Sequence, residues 1–270
     1  MVTPAVKWLD GADPSFLETL GESVRQEYVV VVRFGCSQKP ARHLEMVREA
    51  FGSFMPMGKE APENLAVLES AGSSFAHRAR HPTTWPINQS PHTDGWYLDH
   101  TPRVVGQLCL TNVDLGGEST FASARAMLRA LRARFSESEI RPLWQHDAAS
   151  TTIAGRTISR PVFTTRQTGP AASARIACTF SCDEFNRVTP SGTALPAFDF
   201  CREFVRLREN HCVIKLQPGV GVFVANPSVL NGRRGWSDSR SGSRRFLQAW
   251  YDGAGHPELE GFVEDEVKGA

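Results

Sequence analysis

Apolar residues recur at two spacings along this 270-residue chain, and the two spacings predict a mixture of helices and strands. Residues 15–27 place apolar side chains every three or four positions, which predicts an amphipathic helix. The β-branched run at residues 28–34 then predicts a buried strand. A second helix is expected over residues 40–54, and residues 56–91 carry several Pro and Gly residues that indicate a loop-rich segment.

Short β-rich segments dominate the remainder of the chain. Strands are expected at residues 104–112, 119–122, 161–165, 174–180, 211–215, 221–225 and 245–251, with helices at residues 123–135 and 197–209. This order favours a mainly β protein with flanking helices (α+β), built on a jelly roll, over a βαβ fold. No Gly-, Ser- or Pro-rich linker interrupts the pattern, so residues 1–270 are expected to form one domain.

The charge balance and the cysteines narrow the setting. Thirty basic residues against 29 acidic ones leave a formal charge of +1, which gives no field for nucleic acid or an acidic membrane. No apolar run approaches the roughly 18 residues that a membrane span needs, and no signal peptide is visible. The six cysteines form no CxxC pair and suggest reduced thiols. We therefore expect a cytoplasmic protein whose partner is a small-molecule substrate.

The strongest local candidate for chemistry is the tripeptide His92-Thr93-Asp94. Residues two apart on a strand point to the same face, so one imidazole and one carboxylate can hold one metal ion. Two protein ligands on one face leave coordination positions open, as in the non-haem iron sites built from histidine and carboxylate. Taken alone, the tripeptide is better explained as a surface histidine beside a turn aspartate.

Two further segments change that interpretation. Residues 216–233 combine a Pro-Gly turn, an apolar strand and the sequence Leu-Asn-Gly-Arg, in which the Asn is Asn231. Residues 116–121 read Gly-Gly-Glu-Ser-Thr-Phe, and Ser119 and Thr120 lie 27 and 28 residues after His92. Arg245 lies fourteen residues after Asn231. In these ordered motifs the chain resembles the taurine dioxygenase and clavaminate synthase-like family of 2-oxoglutarate oxygenases. The resemblance extends from about residue 29 to residue 251.

The resemblance implies a double-stranded β-helix, the cupin-like jelly roll, as the core. It also implies that Fe(II) is held by His92 and Asp94 and that 2-oxoglutarate and O2 are the cosubstrates. The far carboxylate of 2-oxoglutarate is then expected to pair with Arg245, while the adjacent Arg244 faces solvent. A hydroxyl from Ser119 or Thr120 would add a hydrogen bond, and alignment on the glycine pair favours Ser119.

The chain departs from the family at Asn231, which stands where the distal histidine ligand is expected. An amide offers a metal only its carbonyl oxygen, a harder and weaker donor than imidazole for Fe(II). Three interpretations remain open. Asn231 ligates weakly, or it does not ligate and water and substrate complete the site, or the protein has kept the fold and lost oxidative chemistry.

The function expected from the resemblance is oxidation of a small, amino-acid-like metabolite in specialised metabolism, by hydroxylation, desaturation or a related reaction. Trp96 could form a wall of the substrate pocket, and Asp183 and Glu184 could receive a cationic substrate. The alternative is a non-oxidative, metal-dependent cupin-like enzyme or a catalytically inactive binding protein of the same fold.

Overall fold

The computed structural model describes residues 3–57, 65–69, 86–153, 155–167, 174–182, 187–237 and 243–263. Within these residues, strands outnumber helices, and the helices lie mostly before the first long strands and between later ones. The strands are β1 (Val6–Asp10), β2 (Val29–Arg33), β3 (Leu65–Glu69), β4 (Gln89–His92), β5 (Val104–Thr111), β6 (Ser119–Ser123), β7 (Ala149–Ile153), β8 (Arg156–Arg160), β9 (Phe163–Arg166), β10 (Arg175–Cys178), β11 (Thr189–Pro190), β12 (Cys212–Ile214), β13 (Val220–Ala225), β14 (Val229–Arg233), β15 (Arg245–Tyr251) and β16 (Phe262–Val263). The helices are α1 (Phe16–Arg25), α2 (Ala41–Met46), α3 (Arg48–Phe51), α4 (Ala124–Arg134), α5 (Glu137–Ile140) and α6 (Leu195–Phe204), and short 3-10 turns cover Arg141–Trp144, Arg208–Asn210 and Pro257–Glu260.

Two sheets carry the centre of the fold. The larger has six strands in the order β1-β2-β13-β5-β15-β3, and the other has four in the order β12-β6-β14-β4. Their ladders are antiparallel apart from the parallel pair β1 and β2. Two three-stranded sheets, β16-β10-β9 and β11-β7-β8, complete the described strands. The expected mainly β architecture with flanking helices is confirmed at this level.

The side chains of the six-stranded sheet alternate between two cores. In β2, Val30 and Val32 pack with α1, α2 and α3, whereas Val29 and Val31 face the opposite way. That second face meets the inner face of the four-stranded sheet, where Phe121 and Val229 pack against Phe246. A period of two along buried strands therefore separates a helix-covered layer from an interior between the sheets.

A third core lies on the outer face of the four-stranded sheet. Ala122 and Leu230, the neighbours of Phe121 and Val229, pack there with apolar residues of α4 and α6. The four-stranded sheet is thus buried on both faces, and the side chains at odd positions of β6 and β14 point into the interior between the sheets.

The structure corrects some expected elements. The helix expected over residues 40–54 is two short helices, α2 and α3, and it ends at Gly52, whose φ of +83° favours glycine. The loop-rich segment contains strands β3 and β4, and the hairpin of β7 and β8 was not predicted. Among the described helices, none has the length and apolar character that a membrane crossing requires.

Candidate active site

The strand pair β4 and β14 brings His92 and Asn231 together. The two residues are direct partners in the antiparallel register. A Cβ atom at the next residue, Gly232, would lie 2.5 Å from the carbonyl oxygen of Gln89, so glycine is what allows β4 to lie this close. Thr93 fixes the end of β4 from the other side, because its backbone N–H donates to the carbonyl of Phe180 at 2.7 Å.

His92 and Asp94 present one nitrogen and one oxygen to a common point. The distance from His92 Nε2 to Asp94 Oδ1 is 3.2 Å, and both residues are buried. His92 Nδ1 lies 3.0 Å from the carbonyl oxygen of Ser90. Because a carbonyl only accepts, Nδ1 carries the hydrogen in the neutral ring and Nε2 keeps its lone pair for a metal.

These donors fit a divalent metal ion. Metal–nitrogen and metal–oxygen bonds in such sites measure about 2.0–2.2 Å, so two adjacent ligands lie about 3 Å apart. Within the described part of the chain, no set of three His, Cys, Asp or Glu side chains has the geometry of a metal site. The residues therefore fit a two-ligand centre and leave the third position to Asn231 or to an exogenous ligand.

Hydrogen bonds hold the carboxylate of Asp94 in one orientation. Its Oδ2 accepts from Gln248 Nε2 and, at 3.0 Å, from Trp250 Nε1, both on β15. Its backbone N–H donates to Asn226 Oδ1 at 2.9 Å, and the Asn226 amide donates to the Asp94 carbonyl at 3.1 Å. Since Oδ2 has two donors, Oδ1 is the oxygen left for a metal, on the side of His92.

Asn231 is 7% exposed and its amide nitrogen donates to the backbone carbonyl of His92 at 3.4 Å. The prediction that Asn231 occupies a position beside the metal pair is compatible with this placement, since the residue adjoins His92 across the ladder. Because Asn231 Nδ2 donates to the backbone of β4, the amide NH2 group is engaged there. Oδ1 is then the one atom of the side chain that could bind a metal.

Arg245, the first residue of β15, and Arg244, which precedes the strand, face opposite ways to those expected. The side chain of Arg245 is 45% exposed and lies 3.3 Å from Glu69 in a surface ion pair. Arg244, expected at the surface, is 4% exposed and its guanidinium lies 4.0 Å from the Phe246 ring. Residues 244, 246, 248 and 250 share one strand face, and that face carries the two donors to Asp94.

The hydroxyl candidates Ser119 and Thr120 also separate by strand parity. Ser119 lies on the same side of β6 as Phe121, which packs in the interior between the sheets, whereas Thr120 lies on the side of Ala122. Ser119 is 2% exposed and is paired in register with Arg233 of β14. Of the two hydroxyls, Ser119 is therefore the one on the arginine-bearing side of the sheet.

Arg233 and Trp236 were not singled out by the sequence. Arg233 is 6% exposed, and its guanidinium lies 4.7 Å from the centre of the Trp236 ring, while that of Arg244 lies 5.4 Å from the same ring. Burial, together with the charge of Arg244, lowers the pKa of Arg233 to about 9. Burial likewise lowers the pKa of Arg244 to about 10.

The proposed substrate residues have different outcomes. Trp96 is 3% exposed and stacks edge-on against Tyr97 at 6.4 Å. Burial, and to a smaller extent the charge of Asp94, raises the pKa of Tyr97. Asp183 and Glu184 lie outside the described residues, so their role stays a prediction.

The hydrogen bonds to Asp94 give a direct test. Trp250→Phe removes the indole N–H and keeps most of the ring, so we expect Co(II) affinity to fall by about 10-fold, the lower end for an outer partner of a ligand. The measurement is anaerobic Co(II) titration by calorimetry. Trp144→Phe, at a partly buried indole that packs against Phe163, is the matched control and should bind Co(II) normally. Equal affinity in the two variants would show that Trp250 does not orient the carboxylate.

Comparison with known proteins gives a consistent assignment. Asparagine oxygenase shares 15% identity, with a TM-score of 0.67, over 89% of this chain and 79% of that one. PvcB from Pseudomonas aeruginosa shares 16% identity, with a TM-score of 0.64, over 92% and 86% of the two chains. The non-haem iron oxygenase OrfP shares 11% identity, with a TM-score of 0.62, over 92% and 83%. No curated protein sequence matches the chain.

At these identities the structural matches show the fold, and the family model carries the assignment further. The model described as taurine catabolism dioxygenase TauD, TfdA family matches residues 6–250. The expected oxygenase family is thereby confirmed, and Fe(II), 2-oxoglutarate and O2 are the cofactors that fit it. Since the match covers nearly the whole chain, the protein belongs to the TauD, TfdA dioxygenase family.

Proposed function

We propose that this protein is a single-domain, cytoplasmic, non-haem iron oxygenase that uses 2-oxoglutarate to oxidise a small, amino-acid-like metabolite. The observation that carries the proposal is the arrangement of the inner sheet faces. A metal pair, His92 and Asp94, lies at one end, and a buried arginine with a hydroxyl, Arg244 and Ser119, lies along the same interior. We further propose that the two facing sheets form the jelly-roll core of the family.

Arg244 takes the role that the resemblance gave to Arg245. A carboxylate bound in a dry interior needs a charged, hydrogen-bonding partner, and a guanidinium can meet both carboxylate oxygens. Arg244 is buried on the face that carries Gln248 and Trp250, whereas Arg245 is committed to Glu69 at the surface. Ser119 supplies the hydroxyl, because Thr120 points to the other side of its strand.

The residues of the chain prepare the reaction in three ways. Bound iron supplies the activation of O2 that oxidises the substrate as 2-oxoglutarate is converted to succinate and CO2. His92 and Asp94 would hold the metal, and Gln248 and Trp250, by donating to Oδ2 of Asp94, would keep its Oδ1 turned toward the metal. The apolar walls of the interior exclude water, which strengthens the charged contacts made there.

The proposed substrate class comes from structural neighbours. An asparagine oxygenase structure holds 3-hydroxyasparagine and succinate, and an OrfP structure holds (3S)-hydroxy-L-Arg. A free amino acid or a derivative of similar size suits a pocket walled by Trp96 and Tyr97, which follow Asp94 by two and three residues and pack edge to face. Asp183 and Glu184 remain candidates for contacting a cationic group of that substrate.

Anaerobic titration tests the function as a whole. Adding Fe(II) and then 2-oxoglutarate to the purified chain should produce the visible charge-transfer band of an iron–2-oxo acid chelate. In air, a substrate should cause oxygen-dependent release of succinate. Failure to form the chelate, with metal bound, would overturn the oxygenase and favour the non-oxidative metal-dependent enzyme or binding protein.

The arginine pair yields a sharper prediction. Arg244→Gln should weaken 2-oxoglutarate binding by at least about 30-fold, since a buried charged contact costs about 2–5 kcal/mol when one partner is removed. Arg245→Gln is the matched control and should leave binding unchanged, because it removes only an exposed ion pair. The measurement is 2-oxoglutarate affinity of the Co(II)-loaded protein. The reverse pattern, with loss only in Arg245→Gln, would return the cosubstrate role to Arg245.

A further inference from the structure

Trp236 is a buried indole with an unused donor. It is 7% exposed, and among the described residues its Nε1 has no hydrogen-bond partner. Burying an N–H without an acceptor costs free energy, so such a group in a native interior calls for an explanation. The guanidinium groups of Arg233 and Arg244 lie against the same indole, at 4.7 and 5.4 Å from its centre.

The position of Trp236 is fixed by the segment that carries Ser119. Gly116 and Trp236 form an isolated antiparallel bridge, and the N–H of Gly117 donates to the carbonyl of Gly235 at 3.0 Å. A Cβ on Gly116 would lie 2.1 Å from the Gly235 carbonyl oxygen, so glycine is required for this contact. The indole and Ser119 are therefore held together by backbone.

Arg233 lies close along strand β14 to Asn231, the residue that adjoins the metal ligand candidate His92. It follows Asn231 by two residues on β14 and lies on the same strand face, and its register partner on β6 is Ser119. Two residues of a strand span about 6.6–6.8 Å. That separation suits a five-carbon dicarboxylate whose 2-oxo acid end is chelated beside His92 and Asn231.

We propose that Arg233 and the N–H of Trp236 join Arg244 in binding the distal carboxylate of the cosubstrate, so that a three-group anchor selects a 2-oxo dicarboxylate. The inference rests on the proposed function. A carboxylate has two oxygens with about four acceptor positions, enough for two guanidiniums and one indole N–H.

The anchor predicts discrimination between two ligands that differ only at the far end. The probes are 2-oxoglutarate and 2-oxopentanoate, a 2-oxo acid of equal length that lacks the distal carboxylate. Affinity is measured anaerobically by calorimetry on the Co(II)-loaded full chain. We expect Arg233→Gln and Trp236→Phe each to weaken 2-oxoglutarate binding by about 10-fold, the scale of a hydrogen bond to a charged group. Binding of 2-oxopentanoate should stay within 2-fold of wild type.

Control variants separate the anchor from a structural role. Arg245→Gln should behave as wild type toward both ligands. Arg233→Lys keeps the charge without the planar fork, and a smaller loss for 2-oxoglutarate alone is expected. This variant also serves if Arg233→Gln does not fold. Equal weakening of both ligands, or no weakening of either, in Arg233 and Trp236 variants that load Co(II) normally would overturn the three-group anchor.

The same titration distinguishes this failure from that of the proposed function. If wild type binds 2-oxoglutarate and loses it in Arg244→Gln, while Arg233 and Trp236 variants bind normally, only the enlarged anchor is wrong. If metal-loaded wild type binds neither 2-oxo acid, the proposed function itself is wrong and the anchor falls with it.

Discussion

Asp94→Asn is expected to abolish iron-dependent turnover, with metal affinity reduced by more than about 100-fold, since even outer partners of a ligand contribute 10–100-fold. The substitution keeps the size of the side chain. Gln248 and Trp250 both donate to Oδ2 of Asp94, so an amide in its place would turn its carbonyl oxygen toward them. Its NH2 group would then face the metal, and an amide NH2 is a donor that cannot ligate.

The partner variant and the controls locate the effect. His92→Ala should lose metal binding similarly, because its Nε2 is the other donor of the pair. Asp252→Asn is the matched control, since Asp252 accepts backbone hydrogen bonds from Ser53 and Ala254 at a different part of the fold. Fe(II) binding and succinate release are measured, with thermal melting as the folding control. Full activity in either site variant would remove iron from the mechanism.

The long buried strands were predictable because local sequence and burial agree. Strand β15 was expected at residues 245–251 and has those bounds. The ends of β5 and β13 differ from the expected ones by no more than one residue. Their apolar and β-branched residues suit strands buried on both faces. The hairpin of β7 and β8 was missed because its residues are mostly Ser, Thr and Arg, many of them at least partly exposed, and its few apolar residues do not alternate clearly enough to indicate a strand.

The facing of the arginine pair shows a limit of spacing arguments. Counting from Asn231 selected Arg245, but strand β15 is buried on both faces, so the apolar pattern does not tell which face holds the site. Phe246 and Trp250 belong to the interior between the sheets, and Leu247 and Ala249 to the helix-covered core. The contacts of Gln248 and Trp250 with Asp94 identify the site face, and Arg244 lies on that face against the ring of Phe246.

The partners of the metal pair were invisible for a related reason. Gln248 and Trp250 lie 154 and 156 residues after Asp94 in the sequence, and no motif links residues at that separation. Arg233 and Trp236 likewise become a cluster only through the bridge between Trp236 and Gly116 and the register of β14. Sequence could single out the two proposed metal ligands, which lie on one tripeptide, but not groups that converge through sheet pairing.

Asn231→His is expected to tighten Fe(II) binding by about 10-fold or more, because imidazole is a better donor to Fe(II) than an amide oxygen. The position supports this result. Asn231 is the register partner of His92, so an imidazole there would reach the same point as His92 Nε2 and Asp94 Oδ1. The new side chain is larger and lies opposite Phe121 on β6, so thermal melting should accompany the anaerobic Fe(II) titration.

Asn231→Ala supplies the opposite arm of the experiment. If the amide oxygen ligates, its removal should weaken Fe(II) binding; if water and substrate complete the site, binding should hold, because the residue then contributes only a 3.4 Å hydrogen bond to the His92 carbonyl. In Asn231→His we expect a higher Fe(II) affinity together with altered product formation. A third protein ligand would occupy a coordination position that the wild-type residue leaves weakly held or open. If neither substitution changed Fe(II) affinity, Asn231 would lie outside the metal's coordination sphere, and His92 and Asp94 would be the complete set of protein ligands.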